Sequence, residues 1–239
     1  MRLRFTILFA ILSFYSLLGQ ETFPVNGVAQ NFEPIHAFTN AHIVLSPSYE
    51  LENGTLIIQG KQIIAVDSNL NIPKGAIVHD LNGDYIYPSF IDLDSDYGLS
   101  KVKKGQYNYR PQYESNKAGA YHWNEAIHPE INASTDFVSN KKTAKAYLKN
   151  GFGAVLSHQQ DGILRGTGCL VLLSQKSEHS TIISPQASSH FSFNKGVSRQ
   201  KNPSSLMGSI ALIRQTFLDA EWYATQENQT NLSYAAINE

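Results

Sequence analysis

The chain has 239 residues, 42% of them hydrophobic and 16% charged, with a formal net charge of −1. That apolar fraction suffices for a packed core, and the balanced charge leaves no electrostatic footprint for nucleic acid or an anionic membrane surface. A lone cysteine, Cys169, excludes an internal disulfide framework.

Residues 1–20 read as a secretory signal. Arg2 and Arg4 supply the positive end, and Phe5 to Leu18 is almost continuously apolar. That run falls short of the roughly 20 residues of a membrane span, and Gly19-Gln20-Glu21 offers a cleavage-type boundary. An exported protein, periplasmic or extracellular, is expected, touching a membrane only through this segment. The competing reading is an uncleaved anchor. Residues 21–36 form a lead-in without clear period.

Residues 37–88 predict a small antiparallel β-unit of roughly four to six short strands. Ala41 to Leu45 is the first strand. Asn53-Gly54 opens Thr55 to Gln59, Gly60-Lys61 turns the chain, and Gln62 to Val66 returns as a hairpin. Asn82-Gly83 is a second turn signal, set between Ala76-Ile77-Val78 and Tyr85-Ile86-Tyr87. Residues 98–135 have little periodicity and predict a long loop. Ser139 is placed to cap a helix over 140–150, with Ala144, Tyr147 and Leu148 on one face and Gly151 ending it. Gly153 to Ser157 follows as a buried strand. Cys169 lies in the apolar run Gly168 to Leu173 and reads as a buried structural thiol rather than a nucleophile. Ser180 to Ser184 predicts one more strand. Asn202 and Pro203 are placed to start a final long helix, whose stripe Leu206, Ile210, Ile213 and Phe217 predicts a core-facing side.

Two stretches carry a family pattern. The first is Glu52-Asn53-Gly54-Thr55-Leu56-Ile57-Ile58 followed by Ile63-Ile64-Ala65-Val66. The second is Gly83, Pro88, Phe90, Ile91 and Asp92, in the order and spacing of a Gly-x-x-x-x-Pro-Gly-Phe-Ile-Asp-x-His-x-His signature. Together they resemble the N-terminal part of the amidohydrolase superfamily, of the imidazolonepropionase and dihydroorotase type. Residues beyond 140 also resemble a secreted bacterial branch of amidohydrolase-like proteins. The resemblance implies an α/β fold: the small β-unit, then, over residues 89–239, the first part of a (β/α) TIM-type barrel. A complete barrel takes about 250 residues, so an incomplete one is expected here.

The resemblance also implies metal-dependent hydrolysis of a carbon–nitrogen bond in a small amide or cyclic amide. Its signature breaks at the ligands, because Asp94 and Asp96 stand where the two histidines belong, and Ser89 replaces a glycine. Zinc is the family's metal, whereas carboxylates favour harder cations such as magnesium, calcium or manganese. Alternate strand positions would turn both carboxylates to one face. They are either ligands of a hard cation or polar remnants of a decayed site that holds no metal.

His158 follows the strand ending at Ser157, where barrel enzymes place catalytic groups, and Asp161 is a possible orienting partner. It is a third candidate ligand, against the alternative of a loop histidine bonded to backbone. His122, His128 and His190 sit among aromatics and read either as a sugar or peptide surface or as packed loop residues. Residues 162–168 lack the ending of a phosphate loop. The expected function is an exported amidohydrolase-like protein, inactive as this chain alone. The alternative is a non-catalytic module that docks a sister amidohydrolase domain or the remainder of a longer chain.

Overall fold

The computed structural model describes residues 33–104, 111–115, 117–174, 178–227 and 230–239. The signal segment and most of the lead-in lie outside the described residues, as do residues 105–110 of the long loop. The chain forms two compact units, Met1–Pro88 and Ser89–Glu239.

The first unit is a five-stranded sheet built around one long strand. That strand is β1 (Ile35–Ser46), followed by β2 (Tyr49–Gln59), β3 (Gln62–Asp67), β4 (Ile77–Asp80) and β5 (Tyr85–Ile86). β2 runs antiparallel to β1 and β3 antiparallel to β2, with the Gly60-Lys61 turn at the expected place. Gly60 has φ +58, a conformation that suits glycine. The unit is not wholly antiparallel, however. β4 pairs parallel with β1 at His36 to Thr39, and β5 pairs parallel with it at His42 and Ile43. The chain does turn at Asn82 and Gly83, both at positive φ. The strands on either side then dock in succession on β1 instead of on each other. Ala41, Ile43 and Leu56 form the buried centre, with Phe38, Leu51, Ile58 and Ile86 packed around it.

The second unit holds a four-stranded sheet in the order β6-β7-β8-β9. The strands are β6 (Phe90–Ser95), β7 (Phe152–Ser157), β8 (Leu164–Leu172) and β9 (Ile182–Phe191). β6 and β7 are parallel and are linked by a long crossover containing α1 (Ala133–Asp136) and α2 (Lys141–Lys149). β8 and β9 continue antiparallel, so β6–β7 is the one parallel pair among the described strands of this sheet. The architecture is mixed α/β, with two sheets and few helices.

α2 lies where a helix was expected, but its cap is Asn140, whose side chain accepts from the Thr143 N–H; Ser139 is one position too early. Ala144 and Tyr147 face the core formed by Tyr97, Phe137, Val155, Cys169 and Val171, while Leu148 is exposed. Burial also raises the Cys169 thiol pKa, which suits an inert structural thiol. Residues 178–181 form a short helix, α3 (Glu178–Thr181), so the strand expected from Ser180 begins at Ile182.

The last long helix is α4 (Leu206–Ala224), and α5 (Leu232–Asn238) packs after it. Ser205, not Asn202, caps α4 by accepting from the Gly208 N–H. Its buried positions are Ser209, Thr216, Ala220 and Tyr223, and Leu206, Ile210 and Phe217 are exposed. Of the expected stripe, Ile213 packs on the core of Ala126, Ile127, Ile163 and Leu164. The helix meets its neighbours through small residues at Ser209, Thr216 and Ala220 together with Leu212, Ile213 and Tyr223; Thr216 also bonds back to the Leu212 carbonyl at 2.8 Å.

Candidate functional site

The strand ends of β6 and β7 bring together two residues 64 positions apart. The His158 N–H donates to the Ser95 carbonyl at 2.9 Å and fastens the start of the loop after β7 to the end of β6. The His158 side chain, 2% exposed, then bonds through Nε2 to Asp94 Oδ1 at 2.8 Å. Its Nδ1 faces the Gln159 carbonyl at 3.1 Å, so both ring nitrogens meet oxygen acceptors. Gln160 Nε2 adds a second bond to Asp94 Oδ1 at 3.1 Å. These donors, His158 first, hold the Asp94 carboxyl pKa below its ordinary range, although the side chain is 77% exposed and solvent weakens the effect.

His190 on β9 stacks on His158 with ring centroids 3.6 Å apart and planes 9° from parallel. Its Nε2 bonds to Ser188 Oγ at 2.8 Å. Burial, followed by the neighbouring His158, lowers the His190 pKa to about 4, so this ring is neutral at pH 7. The stack depends on a missing side chain. A Cβ on Gly168 of β8 would stand 2.5 Å from His190 Nε2 and 3.2 Å from His158 Cβ. Glycine in a strand interior often marks such a close approach.

Around this stack lies an open groove of about 510 Å³, lined by Leu93, Asp94, His158, Arg165, His190, Phe191, Ser192 and Phe193. Arg165, on β8, is half-buried, and its Nε donates to the Gly162 carbonyl at 3.2 Å.

The other sequence candidates separate from this cluster. Asp96 lies just past the end of β6, with Oδ2 3.9 Å from Lys101 Nζ. Asp161 faces His128, with Oδ2 3.6 Å from Nε2, and takes the Val197 N–H at 2.7 Å; it does not orient His158. The 3.6 Å contact is not an ion pair at neutral pH, because burial lowers the His128 pKa to about 3 and leaves Nε2 without a hydrogen-bond partner among the described residues. His122 is buried, takes the Asn124 N–H on Nδ1 and stacks on Trp123, which is a structural role. Of the three aromatic-associated histidines, only His190 reaches the groove.

The donor set does not fit a catalytic metal. Among the described residues no group of three or more His, Cys, Asp or Glu side chains converges as metal ligands. Asp94 Oδ1 and His158 Nε2 bond to each other directly, and no third such donor joins them among the described residues. Arg165, Gly168 and the His190 stack escape sequence reasoning. Gly166-Thr167-Gly168 ahead of an apolar run was the one available hint of a close approach.

No protein-family model matches the chain, and no curated protein matches it. Solved structures do. An amidohydrolase from Thermotoga maritima MSB8 superposes with a TM-score of 0.63 at 21% identity, over 84% of this chain and 54% of that one. A prolidase complexed with N-methylphosphonate-L-proline matches with a TM-score of 0.28 at 18% identity, over 51% of this chain and 25% of that one, which carries no argument. The chain thus spans about half the length of the Thermotoga enzyme. At this identity the likeness concerns fold alone: the chain is similar in fold to about half of that amidohydrolase.

Proposed function

We propose that the chain is an exported amidohydrolase-like protein, its second unit the opening part of a (β/α) barrel, that does not hydrolyse amides by itself. The fold likeness to the Thermotoga enzyme carries this reading. The order Gly83, Pro88, Phe90, Ile91, Asp92 leading into β6 supports it. The loss of activity is inferred from Asp94, which occupies a ligand position of the family signature and is tied to His158. Metal-activated hydrolysis needs a Lewis acid held by several donors with an open position. Metal analysis of purified protein with a screen of amides and cyclic amides tests the proposal. Substoichiometric metal and no turnover are expected. Stoichiometric zinc with turnover abolished by Asp94→Ala would overturn it.

A second reading has its own observation. β6 lies at the end of its sheet order, and Phe90, Ile91 and Leu93 are 66%, 53% and 67% exposed. Adjacent residues of a strand point to opposite faces, so neither face of β6 is covered. In this reading the strand docks a sister amidohydrolase domain. Light scattering behind size exclusion tests it: a monomeric chain that binds no hydrophobic dye removes the reading.

A further inference from the structure

We propose that the groove beside Asp94 binds a small amino-carboxylate with an apolar side chain, its carboxylate held by Arg165 and its ammonium by Asp94. Arg165 makes one hydrogen bond, through Nε, so both Nη groups lack an acceptor among the described residues. Among the described residues no carboxylate forms an ion pair with it. The planar fork of a guanidinium matches a carboxylate. Asp94 is the complementary half. Its Oδ1 receives His158 and Gln160, while Oδ2 has no partner among the described residues.

The two side chains line one groove and make no ion pair with each other. A ligand bearing both charges on one carbon satisfies each of them. A simple carboxylate would leave Asp94 repelling it, and a simple amine would leave Arg165 unpaired. The neutral His190 ring adds no charge to this balance. Phe191 and Phe193 expose apolar surface at the groove for the rest of the ligand. The inference stands on the groove's own residues and needs no hydrolysis, so binding without turnover satisfies it.

Titration calorimetry of the full chain at neutral pH tests it with three probes. L-Phenylalanine carries both charges, 3-phenylpropionate lacks the ammonium, and 2-phenylethylamine lacks the carboxylate. Saturable binding of L-phenylalanine is expected, and losing either charged contact should weaken it by about tenfold or more. Arg165→Gln should weaken L-phenylalanine by a similar factor while leaving 2-phenylethylamine unchanged. Arg165 also supports the Gly162 carbonyl, so Arg165→Lys serves if the glutamine variant fails to fold, and the three-probe comparison needs no variant. No saturation at millimolar L-phenylalanine, equal affinity for the three probes, or an indifferent Arg165 variant would each overturn the assignment.

Discussion

Strands β6 and β8 belong to one sheet and both carry large apolar side chains, yet their surroundings are opposite. In β8, Leu164, Cys169 and Val171 are buried, and Gly166 and Gly168 admit close neighbours from other elements. In β6, Ser95 is the only buried residue, and the three large apolar side chains are exposed. An apolar run on both faces is the composition of a strand covered on both sides, as in parallel α/β sheets. β8 has that cover, whereas Phe90, Ile91 and Leu93 of β6 are left without it. Sequence hydrophobicity therefore records what a strand can bury, while neighbours decide what it does bury.

Acid should narrow this contrast most. His122 and His128 sit in the segment packed against β8, where the His128 N–H donates to the Leu164 carbonyl at 2.8 Å. Burial holds their pKa values at about 4 and about 3. An unfolded histidine titrates near 6.5, so between that pH and the folded values the unfolded chain binds more protons. Stability is then present above about pH 6.5 and drains as pH falls, by on the order of 1.4 kcal/mol per histidine per pH unit. Hydrogen exchange at pH 4 should show lost protection at Ile127 and His128, with β6 amides little changed. Equal protection at pH 4 and 7 would break the comparison.

Core truncation tests the same contrast directly. Leu164→Ala should cost about 2–5 kcal/mol in chemical denaturation, whereas the exposed Leu93→Ala should stay within about 0.5 kcal/mol. A large Leu93 effect would mean that β6 is covered in solution. Gly168→Ala comes next. Its Cβ would push His190 off His158, at a cost of about 1–3 kcal/mol, and the imidazole proton resonances should shift together. The smallest effect belongs to the crossover. Asn140→Ala removes the α2 cap and should cost about 1 kcal/mol, with no change in the imidazole resonances.

Local features were legible in the sequence. Gly60-Lys61 fixes a turn within two residues, and the β2–β3 hairpin follows from it. Asn82-Gly83 is as strong a turn signal, but which strand receives the next pairing depends on β1, some 40 residues earlier, so the mixed sheet could not be read. The caps slipped because Ser139 and Asn140 are both able cap residues and only backbone geometry chooses between them. The α4 stripe was legible only in part, because periodicity reveals a face without saying which of its residues are covered; Ile213 packs on the core, while Thr216 and Ala220 are the ones fully buried. In the site, Asp94 stood out as a ligand position of the family signature and His158 by its place at a strand end. The bond between them, the His190 stack and Arg165 arise from four different strands or their ends, and no sequence window spans them.

Cys169 gives the molecule a built-in clock. The only thiol of the chain is sealed in β8, one residue from the glycine beneath the imidazole stack. A thiol reagent can reach it only when that strand lets go of its neighbours. The labelling rate therefore counts openings of the strand that supports the groove. Any ligand that settles there should slow the count without touching the sulfur.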